Sequence, residues 1–387
     1  MIRKVVCLAL CSLLCQSAVL PLQKLLIPEL DEQNAFGKTD LEAQGFRLIA
    51  TSPTEATWMT EEEILGLRRK EIGFMDITAQ DLESVEAFGL PIRFAPPAKV
   101  SYKDVVTKLF DEISIPRMQA FLTTFSGFRT RYYQSLSGEQ SADWLYTQLT
   151  EITSKNPAVK TSVSKFLHGW GQFSIIVRVE SATPAKELFP TVIIGAHQDS
   201  ANGANPYFGR APGADDDGSG TTTVLEAYRV LAESNVVPKR PIEFHFYSAE
   251  EAGLLGSQKV AAQYKRDGRQ VAGMYQVDMT GYVPPNKTPQ IALINDFTDP
   301  DLAAFLKKLV VAYSGVDPVD SVCGYGCSDH ASWTKAGYSA MFTFEAEFKD
   351  HSPYIHTIED TVDKIDFEHV KRFVKVVLGF AVEMSLA

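Results

Sequence analysis

Apolar residues follow two different periods along most of the chain. Residues 103–125 and 139–154 repeat them at helical spacing, as in "SADWLYTQLTEI". The same period runs through "TTTVLEAYRVLAES" (221–234), "LLGSQKVAAQYKRD" (254–267), "DPDLAAFLKKLVVAYSG" (299–315) and a last stretch at about 365–385. Between these lie short β-prone runs: "FSIIVRVE" (173–180), "TVIIGA" (191–196), "IEFHFYS" (242–248), "GMYQVDM" (273–279), "QIALIN" (290–295) and "SAMFTFE" (339–345). Several are nearly continuous in apolar residues, the pattern of strands covered on both faces. The alternation predicts an α/β domain over 89–387, with a central mixed, mostly parallel sheet flanked by helices on both sides.

The chain before residue 89 reads differently. Arg3 and Lys4 precede an apolar run from Val5 to Leu14, and small residues follow at Ser17 and Ala18. This is the pattern of a secretory signal over 1–18, too short to stay as a membrane anchor. Residues 19–88 hold 14 Asp and Glu against 6 Lys and Arg. Their short patterned segment "WMTEEEILGLRRKEIGFMDIT" predicts a small helical unit with little core of its own. An acidic segment after a signal points to a propeptide that assists folding or blocks a site. Its ordinary counterpart is a permanent N-terminal subdomain. "FAPPAKV" at 94–100 marks the passage into the main domain.

The whole chain of 387 residues carries a formal charge of −11. That balance argues against a nucleic-acid partner, and no later segment reaches membrane length. Cys7, Cys11 and Cys15 leave with the signal, so the secreted chain keeps Cys323 and Cys327 in "CGYGC". In an oxidising compartment these are expected to form one disulfide. A metal site on them would want further thiolates or a histidine pair nearby. Asn286 opens the one glycosylation sequon, Asn286 to Thr288, in an expected loop.

In α/β sheets, sites form at the carboxyl ends of strands. Here "TVIIGA" runs into His197, Gln198 and Asp199; "IEFHFYS" ends near Glu250 and Glu251; "GMYQV" ends at Asp278. The loop "APGADDDGSG" places Asp215, Asp216 and Asp217 before a helix, and His356 follows the last strand. Each motif alone has an ordinary reading: a hydrogen-bonded turn, a helix-dipole partner, a solvated loop, a core histidine. Their recurrence at five strand ends or adjoining loops does not. So many unpaired carboxylates would be costly to bury, and divalent cations relieve that cost. Imidazole and carboxylate without thiolate suit zinc, with manganese or cobalt less well matched. Two histidines and three carboxylates exceed one four-coordinate zinc and suffice for two ions sharing a carboxylate and a water, an arrangement suited to hydrolysis. Which of the adjacent Glu250 and Glu251 coordinates and which stays free is left open by the residues.

The strings "GAHQDS", "APGADDDGSG", "YSAEEAGLLGSQ", "QVDMTGY", "CGYGCSDHASW" and "HTIEDT" span residues 190–363 in one order. Together they resemble the secreted two-zinc aminopeptidases, especially the fungal extracellular leucine aminopeptidases and their bacterial relatives. The resemblance implies that His197 and Asp278 bind one zinc, Glu251 and His356 the other, and Asp216 bridges them. It implies that Glu250 is the general base, that Asp199 orients His197, and that an unusual peptide geometry follows Asp216. It also implies a leucine-like preference for the first residue of a peptide with a free N-terminus. Phe342, Phe344, Phe348, Ile355 and Met279, with Tyr325 in the Cys323–Cys327 hairpin, are the candidates for an apolar pocket. Tyr325 is also a candidate hydrogen-bond donor to a developing oxyanion. The aromatics have an ordinary reading as core. The expected partners are peptide substrates and the chain's own propeptide, with no nucleic acid or membrane, and the expected state is a monomer.

Three alternatives share the scaffold. A glutaminyl cyclase would use a single zinc, and the presence of both His197 and Asp278 argues for two. A metallocarboxypeptidase would need a cation for the substrate carboxylate, which no motif supplies. A catalytically dead binding protein would have lost a ligand or Glu250. HExxH and G-x-S-x-G strings are absent from the sequence.

Overall fold

The protein is described here by a computed structural model covering residues 38–79, 92–156, 159–181 and 189–387. The expected signal over 1–18 and the expected boundary at 88/89 fall outside the described residues. The acidic segment contains α1 (Lys38–Ala43), β1 (Arg47–Ala50), β2 (Ala56–Met59), α2 (Glu61–Arg69) and β3 (Met75–Asp76). Its three strands pair antiparallel in the order β2-β1-β3. The helical unit expected over 58–78 is therefore helical only in α2, and its ends are strands. Thr60 stops the helix from extending backwards: it forms a reciprocal capping box with Glu63, whose carboxylate accepts the Thr60 N–H at 2.7 Å. Glu61, Glu62 and Glu63 in the first turn and Arg68 and Arg69 in the last suit the helix dipole. The unit borrows part of its core, because Leu48, Met75 and Ile77 pack in one cluster with Leu254 and Ala331 of the main domain.

The main domain runs α3 (Lys103–Lys108), α4 (Ile115–Phe125), α5 (Leu136–Lys155), β4 (Thr161–Phe166), β5 (Ser174–Val179), β6 (Thr191–His197), α6 (Gly218–Glu233), β7 (Ile242–Tyr247) and α7 (Leu255–Arg266). It continues with β8 (Val271–Val277), β9 (Ile291–Ile294), α8 (Pro300–Tyr313), β10 (Pro318–Ser321), α9 (His330–Lys335), β11 (Ala340–Phe344) and α10 (Phe367–Leu386). The helix expected over 103–125 is two helices joined by a 3₁₀ turn at Phe110–Glu112. Pro116 explains the restart, since a proline is at home in a helix's first turn and not in its interior.

Eight strands form one sheet in the order β10-β9-β11-β8-β6-β7-β5-β4. β6 pairs parallel with both β7 and β8, β11 pairs parallel with β8, and β9 with β10; the remaining pairs are antiparallel. β4 and β10 are the two edges, only partly buried, and neither shows the apolar run that marks the inner strands. Along β6, Val192, Ile194 and Ala196 face the cluster containing α4, α5, α6, α8 and α10, while Ile193 faces the cluster of α7 and α9. Both faces of the sheet are thus covered, as near-continuous apolar strands require. No described helix is long and apolar enough to cross a membrane.

Glu383 on α10 ties the start of this domain to its end. It is fully buried, and its carboxylate accepts the backbone N–H of Ser101 and of Tyr102 at 2.8 Å and the Tyr313 hydroxyl at 2.7 Å. Glu383→Ala is expected to lose about 3 kcal/mol, since buried donors left without partners cost roughly 1–3 kcal/mol each and some will find water. Denaturant unfolding checks this; an unchanged midpoint would show that the anchor is not needed.

Candidate metal centre

The polar groups gather where the parallel strands end. His197 is the last residue of β6, Asp278 the first beyond β8, and Glu250 and Glu251 lie in the turn between β7 and α7. Asp215 to Asp217 lead into α6, and His356 stands in the loop after β11. The convergence follows from topology, because β7, β6 and β8 are adjacent and parallel.

Asp216 lies between the two histidines. Its Oδ1 is 3.1 Å from His197 Nε2, and its Oδ2 is 3.0 Å from His356 Nε2. Asp278 Oδ1 is 3.5 Å from the same His197 nitrogen, and Glu251 Oε2 is 3.1 Å from the same His356 nitrogen. Two donor sets result, one on each side of a shared carboxylate. Asp278 Oδ1 is buried and has no hydrogen-bond partner among the described residues, while its Oδ2 accepts the Ser328 hydroxyl at 2.6 Å. An orphaned carboxylate oxygen beside an imidazole nitrogen suits a cation, and this nitrogen-and-oxygen donor set fits zinc.

Asp217 also lies within reach of His197 and Asp278. Its oxygens are already engaged: Oδ1 accepts the N–H of Gly220 at 2.8 Å and of Met279 at 3.0 Å, and Oδ2 accepts that of His197 at 3.1 Å. Asp217 therefore caps α6 and ties it to the loops at His197 and Met279, while Asp216 turns both oxygens to the histidines. The peptide between Asp216 and Asp217 is cis, in keeping with the unusual geometry the resemblance implied.

Asp199 serves two loops. Its Oδ1 is 3.5 Å from His197 Nδ1, and its carboxylate accepts the N–H of Glu250 at 3.1 Å and of Glu251 at 3.2 Å. Glu251 in turn accepts the Ala201 N–H through Oε1 at 2.8 Å, leaving Oε2 for His356. Ala249, Met279 and His356 have positive φ without being glycine. Such backbone is uncommon and gathers at functional sites, and each of these residues is, or directly adjoins, a member of the cluster. The Glu250 carboxyl lies 4.0 Å from His197 Nε2 and accepts no hydrogen bond from the described residues. The adjacent glutamates thus divide into one held toward His356 and one free.

The electrostatics record an excess of negative charge. Burial, then repulsion from Asp329, Asp278 and Glu251, holds the Glu250 carboxyl well above its ordinary range, against the pull of His197. Burial foremost pushes Asp215 up to about 6, Asp329 to about 7 and Asp360 to about 8. Burial alone would discharge both histidines, yet the neighbouring carboxylates raise them well above the ordinary value. Asp216 goes the other way: burial opposes its ionisation, but hydrogen bonds from His197 and His356 hold it far below the usual range.

Met279, Phe342, Phe344, Phe348, Ile355, Cys323 and Cys327 form one apolar cluster, with Ala292 and Ile294 beneath. Phe342 is only 1% exposed and Phe344 3%, so these two are core, while Phe348 and Ile355 are half-buried. Cys323 and Cys327 are disulfide-bonded. Tyr325, within that hairpin, lies 6.5 Å edge-on to Phe348. Asn286 is exposed in a turn with φ of 63°.

Sequence reasoning assigned no role to Ser328, Asp329 or Asp360. All three lie inside strings that drew attention, "CGYGCSDHASW" and "HTIEDT", so the signal was their place beside nominated residues. Asp360 accepts the N–H of Asp215 at 2.9 Å and of Asp216 at 3.1 Å, and Asp329 accepts the Gln276 amide at 3.1 Å.

Comparison with known proteins gives a consistent result. Residues 174–381 match the model of peptidase family M28. Leucine aminopeptidase 1 of Ajellomyces capsulatus (strain H88) is 46% identical over 353 residues, covering 88% of this chain and 89% of that one. Its counterpart in Blastomyces gilchristii is 43% identical over 372 residues, covering 92% and 94%. The crystal structure of Legionella pneumophila LapA aminopeptidase superposes with a TM-score of 0.77 at 28% identity, covering 88% and 98%.

The different duties of Asp216 and Asp217 are separable. Asp217→Asn is expected to keep the parent's metal content and lose about 2 kcal/mol of stability through its disturbed cap and loop bonds. Asp216→Asn is expected to lose metal. Elemental analysis beside denaturant unfolding distinguishes them, and loss of metal from the Asp217 variant would make Asp217 a ligand.

Proposed function

The chain belongs to peptidase family M28, and on that premise we propose a secreted, two-zinc aminopeptidase that removes leucine-like residues one at a time from peptide N-termini. It is a zinc-dependent aminopeptidase. The observation that supports it best is the single Asp216 carboxylate set between two histidines at 3.1 and 3.0 Å. His197 and Asp278 would hold one zinc, Glu251 and His356 the other, with Asp216 shared. When bound, the ions supply a water of lowered pKa and a polarised substrate carbonyl.

The chain's own residues do the rest. Glu250, free of other hydrogen bonds and raised in pKa by burial and like charge, takes a proton from the attacking water as its oxygen bonds to the carbonyl carbon. It then delivers that proton to the departing amine as the C–N bond breaks. Tyr325 stays protonated, because burial and then Glu250, Asp278, Asp216 and Glu251 raise its phenol far above the ordinary value. It can therefore donate to the oxygen that gains charge. Glu250 and Asp278 offer carboxylates to the substrate's terminal ammonium. The apolar cluster of Met279, Phe342, Phe344, Phe348 and Ile355 receives the first side chain.

The proposal extends to the N-terminal segment, read as a propeptide over 19–88 after a signal over 1–18. What supports it is where residues 38–79 lie. The Arg68 guanidinium donates to the carbonyl of Glu251 and rests on the Phe74 ring, 5.2 Å away. Gly73 is pressed so closely against the Tyr325 ring that a side chain there would overlap it. Tyr207 donates to Glu61 at 2.8 Å, and Asp76 N–H to the Gly253 carbonyl at 3.1 Å. The segment covers Tyr325 and the Glu251 turn together, so substrate access depends on its removal.

Two measurements test this reading. The cleaved, zinc-loaded chain is expected to hydrolyse leucine-p-nitroanilide and leave its N-acetyl analogue intact, and Glu250→Gln to keep zinc while kcat falls at least ~100-fold. Hydrolysis of the acetylated compound, or zinc loss in the variant, would contradict the assigned roles. The chain retaining residues 19–88 is expected to show kcat/KM at least ~10-fold below the chain cleaved after residue 88, an order of magnitude per 1.4 kcal/mol of competing contact. Equal activity would make the segment a permanent subdomain.

A further inference from the structure

The loop after His197 and the loop before Asp216 meet at one buried side chain outside every motif named above. Arg131 is completely buried, its guanidinium 4.2 Å from the centre of the Phe125 ring. Its Nε donates to the Gln198 carbonyl at 2.8 Å, Nη1 to the Pro212 carbonyl, and Nη2 to the Gly213 carbonyl at 2.8 Å. Its backbone N–H donates to Ser200 Oγ at 3.1 Å, and that hydroxyl donates to the Ala211 carbonyl at 2.9 Å. One residue thus binds the chain immediately after one proposed histidine ligand and again three and four residues before the shared aspartate.

The other edge of the same turn is held by acceptor oxygens. Asp360 accepts the N–H groups of Asp215 and Asp216 through its carboxylate, and that of Ala214 through its carbonyl at 3.1 Å. The turn over 212–216 therefore presents carbonyls to a guanidinium and amides to a carboxyl group. Such an arrangement limits both the translation and the tilt of the Asp216 backbone. A guanidinium suits the task because its planar fork reaches three carbonyls at once and stays protonated when buried. Even so, burial pushes Arg131 down to about 10, against the opposing pull of Asp360, Asp199, Asp217 and Asp216.

We propose that Arg131 is a positioning residue for the metal centre, fixing Asp216 relative to His197 by holding both loops. The proposal rests on Asp216 being the shared ligand. Asp216 must serve two histidines at once, and constellations of this kind work only within roughly 0.5 Å of their productive geometry. A small relative slip of the two loops would therefore be felt by both metal positions.

The test uses metal-stripped full-length wild type and Arg131→Lys, titrated with Zn²⁺ by calorimetry. Melting of the metal-free forms, and kcat and KM of the loaded, cleaved forms, are measured alongside. A lysine keeps the charge but cannot reach the Gln198, Pro212 and Gly213 carbonyls together. Zinc affinity is expected to fall by about 10- to 100-fold, the usual effect of removing an outer partner of a ligand. kcat is expected to fall with it, and KM to hold, since the apolar pocket is untouched. A lowered melting temperature with wild-type zinc affinity would make Arg131 merely structural and overturn the proposal. A wild-type stoichiometry of one zinc would sink the shared-ligand reading and this proposal together. Should the lysine variant not fold, Ser200→Ala removes one hydroxyl from the same junction: weakened zinc binding at an unchanged melting temperature supports the proposal, and unchanged zinc binding overturns it.

Discussion

Like charges brought within a few ångströms of one another are the constraint that the rest of this structure serves. The carboxyl ends of β6, β7 and β8 bring Asp216, Glu250, Glu251 and Asp278 around two histidines in a largely buried space. Left to itself such a cluster would protonate or spread apart. The raised pKa values of Glu250, Asp215, Asp329 and Asp360 register that tension, and so do the two histidines, raised by their carboxylate neighbours. Divalent zinc bound there would relieve it by replacing protons with metal charge.

Holding the cluster together falls to carboxylates of a second kind. Asp217, Asp199 and Asp360 spend their oxygens on backbone N–H groups of the segments that carry the clustered side chains. A carboxyl group that accepts several backbone amides fixes the loop it binds. The division explains how neighbouring residues of one type differ in duty. Asp216 faces the histidines and Asp217 the backbone, while Glu251 is held toward His356 and Glu250 stands free.

Much of this was legible in the sequence because strand-end chemistry follows strand periodicity. "TVIIGA" ended where β6 ends, to within one residue, and placed His197 at the tip. The inner strands announced themselves through continuous apolar runs. The edge strands β4 and β10 did not, since an edge needs no second apolar face. The break at Pro116 was readable and was passed over in favour of the apolar period. The three-stranded unit of the N-terminal segment was missed because its core is completed by Leu254 and Ala331, far along the chain. Arg131 gave no signal either: its partners are main-chain carbonyls, which have no sequence signature. Asp217 and Asp360 were visible as residues but not as roles, since only geometry tells a ligand from a cap.

Everything proposed for this site turns on one carboxylate, Asp216, being shared by two zinc ions. Titrating metal-stripped protein with Zn²⁺ while counting equivalents bound tests it most directly. Two equivalents per chain are expected, and in the Asp216→Asn variant both positions weakened together. A single equivalent in the wild type, or loss of only one position in the variant, would contradict it.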